Sequence, residues 1–185
     1  MGYRYVPRFL RVVCFLLLMG RLGGCDVGLN EALVSKREAV LERWFRAVLA
    51  TYPEETARFL AGGADRFANP VGQTVRDGLA RLYDRFVADV PVSELSAAID
   101  GIVRIRAVQE FAPSAAVGFV YTLRGILREE LSDAALGSDE QTVLENGIDR
   151  LALVAFDVYM QCREKIFDIR VREIKESQLL AARLG

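Results

Sequence analysis

Histidine is absent from all 185 residues. With it go the commonest general base, the commonest metal ligand and the proximal ligand of a histidine-bound haem, so Ser-His and Cys-His nucleophile pairs are excluded. Cysteine is scarce. Cys14, Cys25 and Cys162 show neither a CxxC spacing nor an even count, and point to neither a zinc site nor a disulfide framework. No metal or cofactor is implied. Net charge is nearly lacking, at −1, and what there is lies unevenly: the first 25 residues carry Arg4, Arg8, Arg11 and Arg21 with no acid, leaving 20 basic against 25 acidic side chains over 26–185. That remainder offers nucleic acid nothing to bind. Period-2 strand patterns, internal repeats and low-complexity linkers are missing as well.

What is present is helix. Ser138 to Arg183 holds no proline and predicts one helix of roughly 44 residues, about 66 Å long. Ser138 and Gln141 have the spacing of a capping box at its start. Turning 100° per residue, Leu144, Ile148, Leu151, Ala155, Val158, Cys162, Ile166 and Ile169 fall on one apolar line. Leu153, Phe156, Met160, Phe167, Val171 and Ile174 make a second line on nearly the opposite side, with a polar strip between them. Two apolar edges need two partners. The first suits the domain's own core. The second outruns it, and the spacing 160, 167, 171, 174 matches a coiled-coil a/d edge, so Met160, Phe167, Val171 and Ile174 are expected to join a homodimer, with Arg170 and Glu173 placed to set orientation.

The first 25 residues differ from the rest. Arginines precede an apolar run, Val12 to Met19, that is too short to span a bilayer, and Leu22-Gly23-Gly24-Cys25 resembles a lipobox. Arg21 intrudes between them. Either this is a signal peptide and Cys25 becomes a lipidated anchor outside the cytoplasmic membrane, or translation begins at Met19 and the domain, residues 26–185, is cytoplasmic. Membrane contact is expected only in the first case.

From Asn30 on, the chain reads as capped helices in an all-α domain. Asn30 caps a helix to about Thr51 with Leu33, Val40, Trp44 and Val48 inward. Pro53 starts a short piece that ends at Gly62-Gly63, which suits a left-handed terminus. Asn69-Pro70 opens a helix to about Asp89, buried through Val71, Val75, Leu79, Leu82 and Phe86. Ser93 caps the next, with Leu95, Ile99, Ile102 and Val103 inward. Pro113 opens a fifth to about Leu131, striped by Ala116, Val120, Leu123 and Leu127. Gly118 and Gly125 share its other side, where a bare backbone would let another helix come close.

Arg106 and Gln109 break this pattern by falling in the apolar arc of their helix. Arg106 is either held structurally, by an ion pair or a backbone hydrogen-bond network, for instance with Glu110 or a carboxylate from another helix, or, with Gln109, is the polar end of a pocket for an anionic or carbonyl-bearing ligand. Arg104 faces outward toward Asp100. The adjacent acids Glu54 and Glu55 diverge by about 100° and cannot serve one substrate atom. No catalytic constellation is found.

The segments Glu42-Arg43-Trp44, Tyr52-Pro53-Glu54-Glu55-Thr56-Ala57-Arg58-Phe59-Leu60, Phe67-Ala68-Asn69-Pro70-Val71-Gly72, Arg104-Ile105-Arg106-Ala107-Val108-Gln109 and Cys162-Arg163-Glu164-Lys165-Ile166, in this order, resemble the RsbRD N-terminal domain family. The resemblance spans roughly Leu33 to Glu176. It implies a globin-like helical fold without haem, dimerisation, and a long C-terminal helix that passes signals, as in the N-terminal sensory domains of stressosome RsbT co-antagonists. Those proteins continue into a STAS domain that contacts kinases, whereas this sequence stops at Gly185, so the expectation is a sensing or docking module. Two functions follow: a non-enzymatic regulatory sensor that couples a small-molecule ligand or a regulatory protein partner to dimer geometry, or a ligand-carrying or redox-accessory protein anchored through Cys25 beside a membrane complex.

Overall fold

The computed structural model describes residues 26–62, 69–134 and 136–184, so Cys14, Cys25 and Gly63 lie outside the described residues. Seven α-helices follow one another: α1 (Asp26–Ser35), α2 (Arg37–Leu49), α3 (Glu54–Ala61), α4 (Pro70–Val87), α5 (Val92–Val108), α6 (Pro113–Glu130) and α7 (Ser138–Leu184), with a 3-10 turn at Ser132–Ala134. No strand occurs among the described residues, and the architecture is all-α. No helix there is long and apolar enough to cross a membrane.

The helices close into a ring. α5 lies between α4 and α7, α6 between α7 and α2, and α2 meets α4. The inward faces are those the periodicity selects: Val40, Trp44 and Val48 of α2, Val75, Leu79 and Leu82 of α4, Leu95, Ile99, Ile102 and Val103 of α5, and Ala116, Val120, Leu123 and Leu127 of α6 are all buried. The seam of α7 is buried from Ile148 through Leu151, Ala155 and Val158 to Cys162, with Leu144 and Ile166 partly covered and Ile169 exposed. Each fully buried side chain of this kind contributes about 1.5–3 kcal/mol.

Several expected helix ends move. The helix expected from Asn30 to Thr51 is two helices divided at Lys36 (φ −92°, ψ 2°), and Asn30 lies exposed inside α1 rather than at a cap. α5 starts behind Pro91, without a side-chain cap from Ser93. The start of α7 is one residue out of the expected phase. The Gln141 amide N–H donates to Gly137 O, and it is Glu140, not Gln141, whose carboxylate accepts from the Gly137 N–H at 2.8 Å. At 47 residues α7 is about 70 Å long.

The junction of α3 and α4 rests on one side chain. Asn69, buried, accepts the Gly72 N–H at 2.9 Å and so caps α4, while its Nδ2 donates to Leu60 O at 2.8 Å, Gly62 O at 2.9 Å and Phe59 O at 3.0 Å. Those carbonyls are the ones a helix C-terminus leaves unpaired. Gly62 is extended (φ −78°, ψ 130°), and Gly63, the other residue of the left-handed terminus expected there, lies outside the described residues. A Cβ on Gly72 would stand 2.4 Å from Leu60 O, which accounts for glycine three residues after the cap.

Close helix approach also occurs away from the expected place. Added Cβ atoms on Gly118 and Gly125 would meet nothing within 4 Å. A Cβ on Gly78 of α4 would reach Ile102 of α5 at 2.9 Å, and one on Gly147 of α7 would reach the Phe86 ring at 2.9 Å. These two glycines, not the α6 pair, let helices of this chain pack tightly.

Candidate functional site

Arg106 sits on the last turn of α5 with 0% of its surface exposed. The structure separates it from Gln109, which is exposed at the helix C-cap, because α5 ends in a Schellman turn: Glu110 takes a left-handed φ of 60°, and the Phe111 N–H returns to Arg106 O at 3.1 Å. Gln109 therefore does not share a cavity with Arg106. Of the two structural alternatives, the backbone hydrogen bond is present, to Ala115 O, and the ion pair is not. Among the described residues no carboxylate contacts Arg106, and Glu110 turns outward to Arg170 of α7 at 2.7 Å. Arg104 does pair with Asp100, at 2.9 Å.

What surrounds Arg106 is neutral. Nη1 donates to Ala115 O at 2.8 Å, in the first turn of α6, and Nη2 donates to Thr51 Oγ1 at 2.9 Å, just past the end of α2. The guanidinium carbon lies 5.1 Å from the ring centres of Phe111 and Phe119 and 5.6 Å from that of Tyr52. Arg106 Nε and the Tyr52 hydroxyl are buried without a hydrogen-bond partner. Burial lowers the Arg106 pKa, with nearby Tyr52 opposing, and burial raises the Tyr52 phenol, with the Arg106 charge opposing. Phe119 continues the cluster to the sole tryptophan: Trp44 stacks on it at 6.0 Å and donates its indole N–H to Phe119 O at 2.7 Å.

The long helix grips this end of the bundle. Tyr159 donates its hydroxyl to Phe111 O at 2.7 Å, Arg163 reaches Ala107 O at 3.4 Å, and Arg170 holds Glu110. At the opposite end of α7, Arg150 pairs at 2.5 Å with Asp89, which ends α4 in the same left-handed way (φ 45°). Two acids in a conformation that non-glycine residues seldom adopt thus clamp α4 and α5 to one helix. Two clefts flank the start of α7, of about 320 Å³ (Leu29, Leu33, Phe86, Asp89, Leu144, Arg150) and about 440 Å³ (Leu127, Leu131, Leu136, Gln141, Leu144, Ile148), and neither includes Arg106.

The second edge of α7 is open. Leu153 is 69% exposed, Phe167 66% and Ile174 57%, with Phe156 and Met160 also exposed and Val171 half-buried. These six lie within about 60° of one line over about 32 Å of helix. From Phe167 to Leu179 every side chain except Val171 is exposed. Arg170, expected to orient a partner, is engaged with Glu110 of its own chain.

Three of the segments that carry the sequence resemblance meet here, Tyr52 at Arg106 and Arg163 at Ala107. The model of the RsbT co-antagonist protein rsbRD N-terminal domain family matches residues 38–174. The chain belongs to that family. A relative in Archaeoglobus fulgidus, described as an uncharacterized protein, is 30% identical over 148 residues, covering 77% of this chain and 87% of its own. No solved structure matches this RsbRD N-terminal domain. Among its described residues no cluster of acids and cysteines could hold a metal ion, and Cys162 is a buried thiol raised by burial above its ordinary pKa.

Proposed function

We propose that the chain is a non-enzymatic regulatory sensor of the RsbR N-terminal type, a homodimer joined along the apolar ridge of α7, in which the long helix transmits the state of the domain to a regulatory protein partner. The family membership supports the class. The observation that carries the dimer is the free-standing end of α7. Past Ile166 the helix has almost no cover from its own chain, whereas most helical stability in proteins comes from packing an amphipathic face. It carries Phe167 and Ile174 in line with Met160, Phe156 and Leu153, an apolar strip that invites association, each side chain being worth about 1.5–3 kcal/mol on burial. A self-complementary edge favours a two-fold pair. The α6 face beside it, with Gly118, Tyr121 and Gly125 bare to solvent, leaves a second copy room to approach.

The double substitution Phe167→Glu with Val171→Glu tests this. Light scattering should give a dimer for the wild-type chain and a monomer for the variant, with helical circular dichroism largely kept. A wild-type chain that is monomeric at tens of micromolar, a range in which one buried strip should already associate, sinks the reading.

A further inference from the structure

We infer that Arg106 and Tyr52 form a binding site for a small monovalent anion, one with the size and planarity of nitrate or formate. The argument begins with charge. An arginine side chain does not give up its proton in a protein, so Arg106 stays cationic. A buried cation is normally paired. Three other buried polar atoms lack partners, and the comparison with two of them is instructive: Arg124 and Arg150 each leave Nε unbonded, but Asp149 and Asp89 neutralise them. Arg106 has no such acid among the described residues. Its two acceptors, Ala115 O and Thr51 Oγ1, are neutral, and the three rings lie toward the far end of the range over which ring faces attract cations.

Donors then define the guest. A guanidinium has five N–H groups, of which two are used here, so Nε–H and two Nη hydrogens remain. The edge they form fits two oxygens of a planar oxyanion. The Tyr52 hydroxyl supplies a further unused donor at the same place. One buried positive charge calls for one negative charge, and complete burial of the side chain calls for a small ion. Thr51 and Ala115, whose oxygens hold Arg106, are themselves exposed. The site also has a route outward: Arg106 O holds the Phe111 N–H, and Phe111 O is held by Tyr159 of the long helix. None of this depends on the ridge of α7 being a dimer contact.

The sole tryptophan reports on the site, because Trp44 is sealed from solvent and stacked on Phe119, whose ring faces the guanidinium. The intact chain is titrated with sodium nitrate and with sodium formate, ionic strength being held constant with sodium gluconate, while Trp44 emission and Tm are recorded. A saturable emission change with a matching rise in Tm is expected for the wild type, lost in Arg106→Met and shifted to several-fold weaker binding in Tyr52→Phe. If Arg106→Met does not keep its helical circular dichroism, Tyr52→Phe decides alone, and unchanged affinity in it overturns the placement. Absence of a saturable change in the wild type, its persistence in Arg106→Met, or equally tight binding of sulfate would each overturn the proposal.

Discussion

The two halves of α7 are one unbroken helix with the same apolar spacing, yet they have opposite fates. Between Ile148 and Cys162 one edge is sealed by α5 and α6, whereas from Phe167 onward the helix stands almost clear of its own chain. Periodicity states that an edge is apolar; only the reach of the neighbouring helices states whether that edge is core or contact surface. The Schellman end of α5 marks the divide. Its Glu110 and Ala107 are the last points at which the body holds α7, through Arg170 and Arg163.

Substituting one apolar residue in each half separates them most sharply. Leu151→Ala removes a fully buried side chain and should cost about 2–5 kcal/mol in urea unfolding. Phe167→Ala, measured on protein dilute enough to be monomeric, should stay within about 0.5 kcal/mol of wild type and weaken self-association instead. Similar losses from both would mean that the end of α7 packs on its own body after all.

A glycine pair gives a smaller and opposite-signed contrast. Gly147→Ala pushes a methyl group against the Phe86 ring and should destabilise by about 1–3 kcal/mol. Gly125→Ala enters open space inside a helix and should stabilise the monomer by about 0.5–1 kcal/mol, while lowering dimer affinity if the bare α6 face is covered by a second copy. Thermal melts with dilution series read both effects together.

The least effect belongs to the clasp at the divide. Arg170 beside Glu110 holds that carboxyl below the usual range, with Arg163 adding to the pull. A lowered folded-state pKa means the pair contributes fully above the ordinary glutamate pKa of about 4.3 and is lost as pH falls through the lowered value. NMR titration of Glu110 should therefore move up to the ordinary range in Arg170→Ala, with little change in stability at neutral pH because both groups are exposed. A titration that ignores the substitution would show that the clasp does not persist in solution.

Much of the helical frame was legible in the residues, because apolar phase and proline position are local properties: the inward faces of α2, α4, α5 and α6 and the sealed seam of α7 follow directly from spacing. Asn69 was legible as a cap, though not as a tie between two helices, which needs the end of α3 in place. The division at Lys36 carries no glycine or proline to announce it. Gln109 shares the apolar arc of α5 on a helical wheel, but Glu110 ends the helix in a left-handed conformation usually left to glycine, and the turn leaves Gln109 outside. The glycines that matter for packing could not be sorted from those that do not, since Gly78 and Gly147 owe their role to Ile102 and Phe86 lying opposite. Arg106 was legible as an anomaly. That it meets no acid among the described residues is a tertiary fact, decided when Glu110 turned to Arg170.

The Asn69 tie has a consequence for how α3 and α4 can move. Both ends of the connection between α3 and α4 are fastened to one amide, to Leu60 and Gly62 on one side and Gly72 on the other. The oxygen of that amide serves α4 and its nitrogen serves α3, so the two helix ends share one rigid group. Neither helix can shift at this joint without loosening the hydrogen bonds of the other.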